Sequence, residues 1–207
     1  MAYDLEEQEQ LDEFKAWWKL YGKMVTNLAL AALVAYAAYQ GWKFYQSKQA
    51  VAASTEYQEL VITDEKDLKG IQEKSAVLMD KYASTPYAGR AALFAAKANY
   101  HANEVKSAKA QLDWTVKHAK ETTVAAIASL QLASILAEEK DYEGALKLLD
   151  AKHDSGFDGL FADLKGDVLV SMGKNEEAKA AYQLALAKLD PQGKYRTLTQ
   201  QKLEALG

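Results

Sequence analysis

The side chains best suited to chemistry in this 207-residue chain are its three histidines, the Gly-Lys pairs of its carboxy-terminal third and carboxylate pairs such as Glu138-Glu139 and Glu176-Glu177. His101, His118 and His153 are scattered, and none has a second ligand on the same helical face at metal-binding spacing. There is no HExxH pattern and no cysteine, so the metal signatures built on those residues are absent. Gly173-Lys174 and Gly193-Lys194 lack the upstream glycine of a phosphate-cradling loop and read as helix stops. Glu138-Glu139 and Glu176-Glu177 fall where turns are expected and read as solvated charge. No GxSxG elbow occurs. The expectation is a protein that binds rather than turns over, with no cofactor and no metal.

Composition narrows what it binds. The formal net charge is −4 and the lysines are dispersed, which argues against nucleic acid, because neutralising phosphates needs clustered cations. Two prolines and eleven glycines leave few turns. Strong helix formers dominate, so the chain is expected to be all-α.

The stretch that organises the rest is Met24–Trp42, MVTNLALAALVAYAAYQGW, bounded by Lys23 and Lys43 with no charge between them. A helix over Tyr21–Trp42 would be roughly 30 Å long, matching the hydrocarbon core of a bilayer. Trp17, Trp18 and Tyr21 precede it and Trp42, Phe44 and Tyr45 follow it, as aromatic residues do at membrane–water interfaces. A soluble core helix would keep a polar face, and here only Thr26, Asn27 and Gln40 are polar. A cleaved signal peptide would begin with a short basic region, whereas this lead-in is long and acidic, which favours an uncleaved anchor. Lys15, Lys19 and Lys23 on one flank against Lys43 and Lys48 on the other favour, by one lysine, a cytoplasmic amino terminus.

Three segments follow. Residues 1–22 form a cytoplasmic amphipathic lead-in, with Leu11, Phe14, Trp18 and Tyr21 at helical spacing; for Met1–Gln10 an unstructured tail is the equal alternative. Residues 23–45 form the transmembrane helix, which continues into a stripe of Ala50, Ala53, Tyr57, Leu60 and Val61. Residues 46–207 form the outward-facing domain. Within it a helix is expected from Asp67 to about Tyr82, and Thr85 with Pro86 marks a helix start, Thr85 as cap and Pro86 at the first position.

From Pro86 onward small residues recur in pairs: Ala96 with Ala108, Ala133 with Ala145, Gly166 with Ala178. Successive pairs are 37 and 33 residues apart. Leu112, Leu136, Leu149, Leu169 and Tyr182 are placed to fill the gaps between hairpins. A hairpin that cannot bury its own face stacks on its neighbours, and this period is that of the tetratricopeptide repeat. The repeat's usual tryptophan is replaced by Ala92, Ser129 and Ala162, and an ordinary antiparallel bundle is the alternative. Tyr195, Leu198, Leu203 and Leu206 give Lys194–Leu206 one apolar face, as expected of a terminal capping helix.

In that register the first helix of each hairpin lines the inner face. Arg90, Leu93, Lys97, Tyr100 and His101 come from the first hairpin, Leu130, Ser134 and Glu138 from the second, and Leu160, Asp163, Asp167 and Val170 from the third. The face would be basic at one end and acidic at the other, and suits an extended or helical polypeptide segment. An asparagine-based carboxylate clamp is not present, since Lys97, Ser134 and Asp167 occupy its position.

The flanks Trp17-Trp18-Lys19-Leu20-Tyr21-Gly22-Lys23 and Gly41-Trp42-Lys43-Phe44-Tyr45-Gln46-Ser47, with the later stretch Gly159-Leu160-Phe161-Ala162-Asp163-Leu164-Lys165-Gly166-Asp167, resemble the YfgM family, ancillary subunits of the bacterial SecYEG translocon. The resemblance runs the length of the chain. It implies a short cytoplasmic tail, one inner-membrane helix and a periplasmic tetratricopeptide-like domain. It also implies a role in passing newly translocated polypeptides to periplasmic chaperones, notably PpiD, and it carries no catalytic residues. A membrane-anchored scaffold holding one fixed membrane-protein partner is the alternative, with Ala31, Ala35 and Ala38 available for helix pairing.

Overall fold

The computed structural model describes residues 2–207, with side chains from Glu6 onward; Met1, at the head of the expected lead-in, lies outside the described residues. The chain divides into two units, 1–48 and 49–207.

The first unit is one helix. Helix α1 runs from Ala2 to Val61, and its last turns belong to the second unit. It is long and apolar enough to cross a membrane. Leu28, Leu30, Leu33, Val34 and Tyr36 are all exposed, a surface too greasy to leave in water. The helix passes without a break through Gly22, where the expected lead-in and span meet; the Trp18 ring lies over it, and the roughly 1 kcal/mol helix penalty of one glycine is absorbed by strong helix formers on either side. Phe14, Trp17, Trp18 and Tyr21 form a contiguous aromatic stripe with ring centroids 5.8–6.2 Å apart. Beyond the apolar stretch Trp42 lies 6.0 Å from Tyr45, and Lys43 and Lys48 sit over the rings of Tyr39 and Phe44.

The second unit is a run of helical hairpins, with no strand among the described residues. Gln49–Val61 of α1 pairs with α2 (Leu68–Lys81). Helices α3 (Pro86–His101) and α4 (Val105–His118) follow, then α5 (Thr122–Glu138) and α6 (Tyr142–Leu149), then α7 (Asp158–Ser171) and α8 (Asn175–Lys188), and finally α9 (Lys194–Glu204). The expected small pairs are buried where the helices cross. At Gly166 a Cβ would stand closer than 3.0 Å to the Tyr182 ring, so only glycine admits that ring between α7 and α8.

The repetition begins one hairpin earlier than the small residues indicate. Asp67, Glu104, Asp141 and Lys174 each start a second helix with nearly the same backbone, φ between −81° and −90° and ψ between 59° and 69°. Each accepts the amide hydrogen of the residue four positions on, at Ile71, Ala108, Ala145 and Ala178, and all four are fully buried. The first hairpin places isoleucine where the others place alanine. Its core is Ala53, Leu60, Ile71, Leu78, Ala91 and Ala95. Val61, expected in the same stripe, is instead exposed at the end of α1.

The turns between paired helices are also repeated. Asn103, Lys140 and Gly173 adopt left-handed backbone, φ 64°, 67° and 76°. The next amide then reaches back to the carbonyls of Asn99, Leu136 and Leu169, at 2.8–2.9 Å. This closes each helix with the six-to-one bond that glycine usually supports. Lys140 carries a Cβ there without the local side-chain bonding available to asparagine, at a cost of about 1 kcal/mol. Lys140→Gly is therefore expected to raise the melting temperature by roughly 2–4 °C, read by circular dichroism of the detergent-solubilised chain. An unchanged or lower midpoint would show that the turn stores no such strain.

Two local expectations change in mechanism. Thr85 precedes α3 and Pro86 opens it, but the Thr85 hydroxyl donates back to the Tyr82 carbonyl at 2.8 Å and does not cap α3. Helix α9 packs Leu203 and Leu206 against Leu169, Ala178, Ala181 and Tyr182, whereas Tyr195 and Leu198 of the expected apolar face are about half exposed. What it buries fully is Thr199. The helix is seated by polar side chains as much as by its leucines.

Candidate polypeptide-binding face

Helix periodicity puts Lys97, Tyr100 and His101 on one side of α3, and Ser134 and Glu138 on the facing side of α5. The fold brings these five together around a cleft of about 340 Å³. Its floor is Ala96, Leu112 and Ile135, and Gln131 completes the rim. The Tyr100 hydroxyl donates to Glu138 Oε2 at 2.8 Å. That bond bridges α3 and α5 across the cleft, and the carboxylate beside the phenol raises the pKa of Tyr100.

The remaining expected residues are placed differently. Arg90 holds Glu121, just before α5, through two hydrogen bonds, Nε at 2.7 Å and Nη2 at 2.6 Å. The paired hydrogen bonds hold the Arg90 guanidinium above its ordinary pKa and lower that of Glu121. Leu93 packs with Leu112, Leu132 and Ile135, and Leu130 packs with Ala133, Leu149 and Phe161, so both belong to the core. Leu160 is half-buried and Val170 is exposed.

Asp163 and Asp167 are engaged by the chain's own terminal helix. Lys202 Nζ lies 2.8 Å from Asp163 Oδ2 and 2.7 Å from Asp167 Oδ2. The Thr199 hydroxyl lies 2.7 Å from Asp163 Oδ1, and the Tyr182 hydroxyl donates to Asp167 Oδ1 at 2.8 Å. Burial works against the Lys202 charge, but the two aspartates outweigh it and raise its pKa. Burial and the Asp167 bond together raise the Tyr182 phenol far above its ordinary value. Lys202 thus offsets one of the two carboxylates at the acidic end expected for the inner face.

A second cleft of about 450 Å³ lies between α2 and α3. Leu68, Ile71 and Phe94 line it, with Glu65 and Lys66 at the mouth, and it shares Lys97 and His101 with the first cleft. Lys66, Leu68 and Phe94 were not among the expected residues. Their signal was the α2 hairpin itself, which has isoleucine where an alanine would have marked the register.

The other candidates for chemistry are structural. His118 Nδ1 lies 2.9 Å from the Trp114 carbonyl and its ring stacks on Trp114. His153 stacks on Phe161 and lies 3.3 Å from Asp158. Of the acidic pairs expected as solvated charge, Glu138 accepts from Tyr100, and Glu139 accepts from Lys109 on α4. Glu176 and Glu177 pair with Lys179 and Lys174. Among the described residues no group of three or more potential ligands converges on a metal position.

The Arg90–Glu121 pair sets an acid dependence. Glu121 has its pKa lowered by folding, so its contribution is complete above the ordinary carboxylate value of 4.5 and is lost as pH falls through the lowered one. The melting temperature is expected to fall more steeply below pH 4.5 in the parent than in Arg90→Gln. Both side chains are about a third or more exposed, so solvent screening keeps the difference under about 1 kcal/mol. Parallel acid limbs in the two proteins would refute the assignment.

The sequence model of the tetratricopeptide repeat-like domain family matches residues 15–207. The chain is 32% identical over 209 residues to a Neisseria gonorrhoeae protein named "Ancillary SecYEG translocon subunit", covering all of both chains. It is 28% identical over 183 residues to a protein of the same name from Escherichia coli strain K12, covering 86% of this chain and 85% of that one. A third so named, from Haemophilus influenzae, is 24% identical over 185 residues, covering 89% and 91%.

Proposed function

Because the chain belongs to the tetratricopeptide repeat-like domain family and is 32% identical, over its whole length, to a protein named an ancillary SecYEG translocon subunit, we propose that it is a membrane-anchored, non-catalytic adaptor associated with the SecYEG translocon. It binds polypeptide segments on its hairpin array and links translocated proteins to a periplasmic chaperone such as PpiD. The observation that carries this reading is similarity over the full length of a so-named relative, anchor and array together. In this layout residues 1–22 lie in the cytoplasm, 23–45 cross the inner membrane and 46–207 face the periplasm. The flanking lysines favour that direction by one residue.

The mechanism is proximity. A tethered array meets an emerging chain at a far higher effective concentration than a free one, without any new contact. The two clefts on α3 supply apolar floors with polar rims, which suits side chains of an unfolded or helical segment. The test is photocrosslinking in native membranes from probes at Tyr100 and Lys97, beside protease protection in spheroplasts and inverted vesicles. Capture of translocon subunits, PpiD and translocating chains, with the array cleaved only from the periplasmic side, is the expected result. Membranes yielding none of these crosslinks would overturn the adaptor role.

A further inference from the structure

Helix α1 carries one apolar seam that is longer than a bilayer is thick. Read in heptads from Leu11, the first positions are Leu11, Trp18, Val25, Ala32 and Tyr39, and the fourth are Phe14, Tyr21, Leu28, Ala35 and Trp42. The same positions turn polar at Glu7 on one side and at Gln46 on the other. Within Met24–Trp42 almost any stripe is apolar, so the informative part is the lead-in. There Leu11, Phe14, Trp18 and Tyr21 are 42–58% exposed, and Asp12, Glu13, Lys15, Lys19 and Lys23 all stand off the seam.

Lipid does not reach the start of this seam. Phe14 precedes Met24 by ten residues, about 15 Å along a helix, whereas the polar layer outside the hydrocarbon is only about 5–8 Å deep. A tilt of about 40° still leaves Phe14 about 11 Å out. No proline interrupts α1, and the helix is unbroken through Gly22.

Apolar residues at this spacing are what two helices share in a coiled coil. Two copies of one spanning helix insert in the same direction and to the same depth. They therefore meet parallel and in register, each seam residue opposite its own counterpart. The flanks admit such a pair. In a parallel coiled coil the seventh position of one heptad faces the fifth position of the next heptad on the other helix. Gln10 then faces Lys15 of the second copy, and Trp17 faces its Gly22. No like charges meet, and Lys15 is held by its own Asp12 at 3.0 Å. The bulky indole is met by a residue with no side chain. Resting on the membrane-anchored reading above, but not on the direction of insertion, we infer that α1 pairs with α1 of a second copy along Leu11–Trp42. The aromatic lead-in closes the pair beyond the lipid.

The chain has no cysteine, so single cysteines report the pairing. Phe14→Cys and Leu28→Cys lie on the seam, and Ala16→Cys and Leu30→Cys lie on the opposite side of the helix. Facing seam positions come within disulfide reach, and the outer positions do not. The full chain in native membranes is oxidised with copper phenanthroline and resolved on non-reducing gels. Both seam variants are expected to give about fivefold more disulfide-linked dimer than either outer variant. Adding Phe14→Glu and Trp18→Glu to the Leu28→Cys chain should cut its dimer about fivefold, since carboxylates then face each other at two seam positions. An unchanged yield there would remove the lead-in from the pair. Equal yields at all four positions, monomer at every position, or adducts of another protein's mass in place of the dimer would overturn the pairing. Alkaline extraction of the same membranes separates the two readings. Chains that stay in the pellet without forming dimer defeat the pairing alone, whereas chains released to the supernatant defeat the anchor with it.

Discussion

Leu30→Arg combined with Val34→Arg is expected to move the protein out of the membrane fraction. The two residues are four apart, so they share one face of α1 near the middle of the apolar stretch, and both are well exposed. An arginine near the centre of a spanning helix costs about 2.5–3.5 kcal/mol on insertion scales, so two cost roughly 5–7 kcal/mol. That is enough to oppose a span whose only other support is its leucines, alanines and interfacial aromatics. Alkaline carbonate extraction reads the result: the parent stays in the pellet and the variant moves to the supernatant. A Leu30→Ala, Val34→Ala control keeps the helix apolar and stays with the membranes. A double-arginine variant as resistant to extraction as the parent would mean that Met24–Trp42 is not what holds the chain there.

Leu78→Ala should cost about 2–5 kcal/mol, the range for truncating a fully buried leucine. Leu78 has no exposed surface and lies in one cluster with Ala53, Leu60 and Ile71 of the first hairpin and Ala91 and Ala95 of α3. The cavity would open at the seam between the first hairpin and the rest of the array. A drop of roughly 5–15 °C in the midpoint of the cooperative transition is therefore expected, read by circular dichroism in detergent. Leu198→Ala, at a half-exposed site on α9, should be nearly silent. Near-parent stability of Leu78→Ala would place the first hairpin outside the cooperative unit, and the array would then start at Pro86.

These two outcomes separate what is encoded locally from what is not. The apolar stretch and the hairpin period are local properties. A run of uncharged residues between two lysines, and alanines or a glycine returning every 33 or 37 positions, report on lipid and on close helix crossings wherever the helices end up. The first hairpin escaped that signal because Ile71 fills the place that Ala108, Ala145 and Ala178 fill elsewhere. What it shares with them is a backbone conformation at Asp67 that no residue type announces.

The chain's own sequence thus determined a greasy helix and a stack of hairpins. Tertiary structure alone decided which inward charges remain available. Arg90 meets Glu121 across 31 residues, Tyr100 meets Glu138 across 38, and Lys202 meets Asp163 and Asp167 across 39 and 35. Periodicity assigns a side chain to a face, but its partner is set by how distant helices stack. For that reason Asp163 and Asp167, read from the sequence as the acidic end, are bonded to Lys202 of α9, while Lys97 stands exposed beside the cleft between α3 and α5.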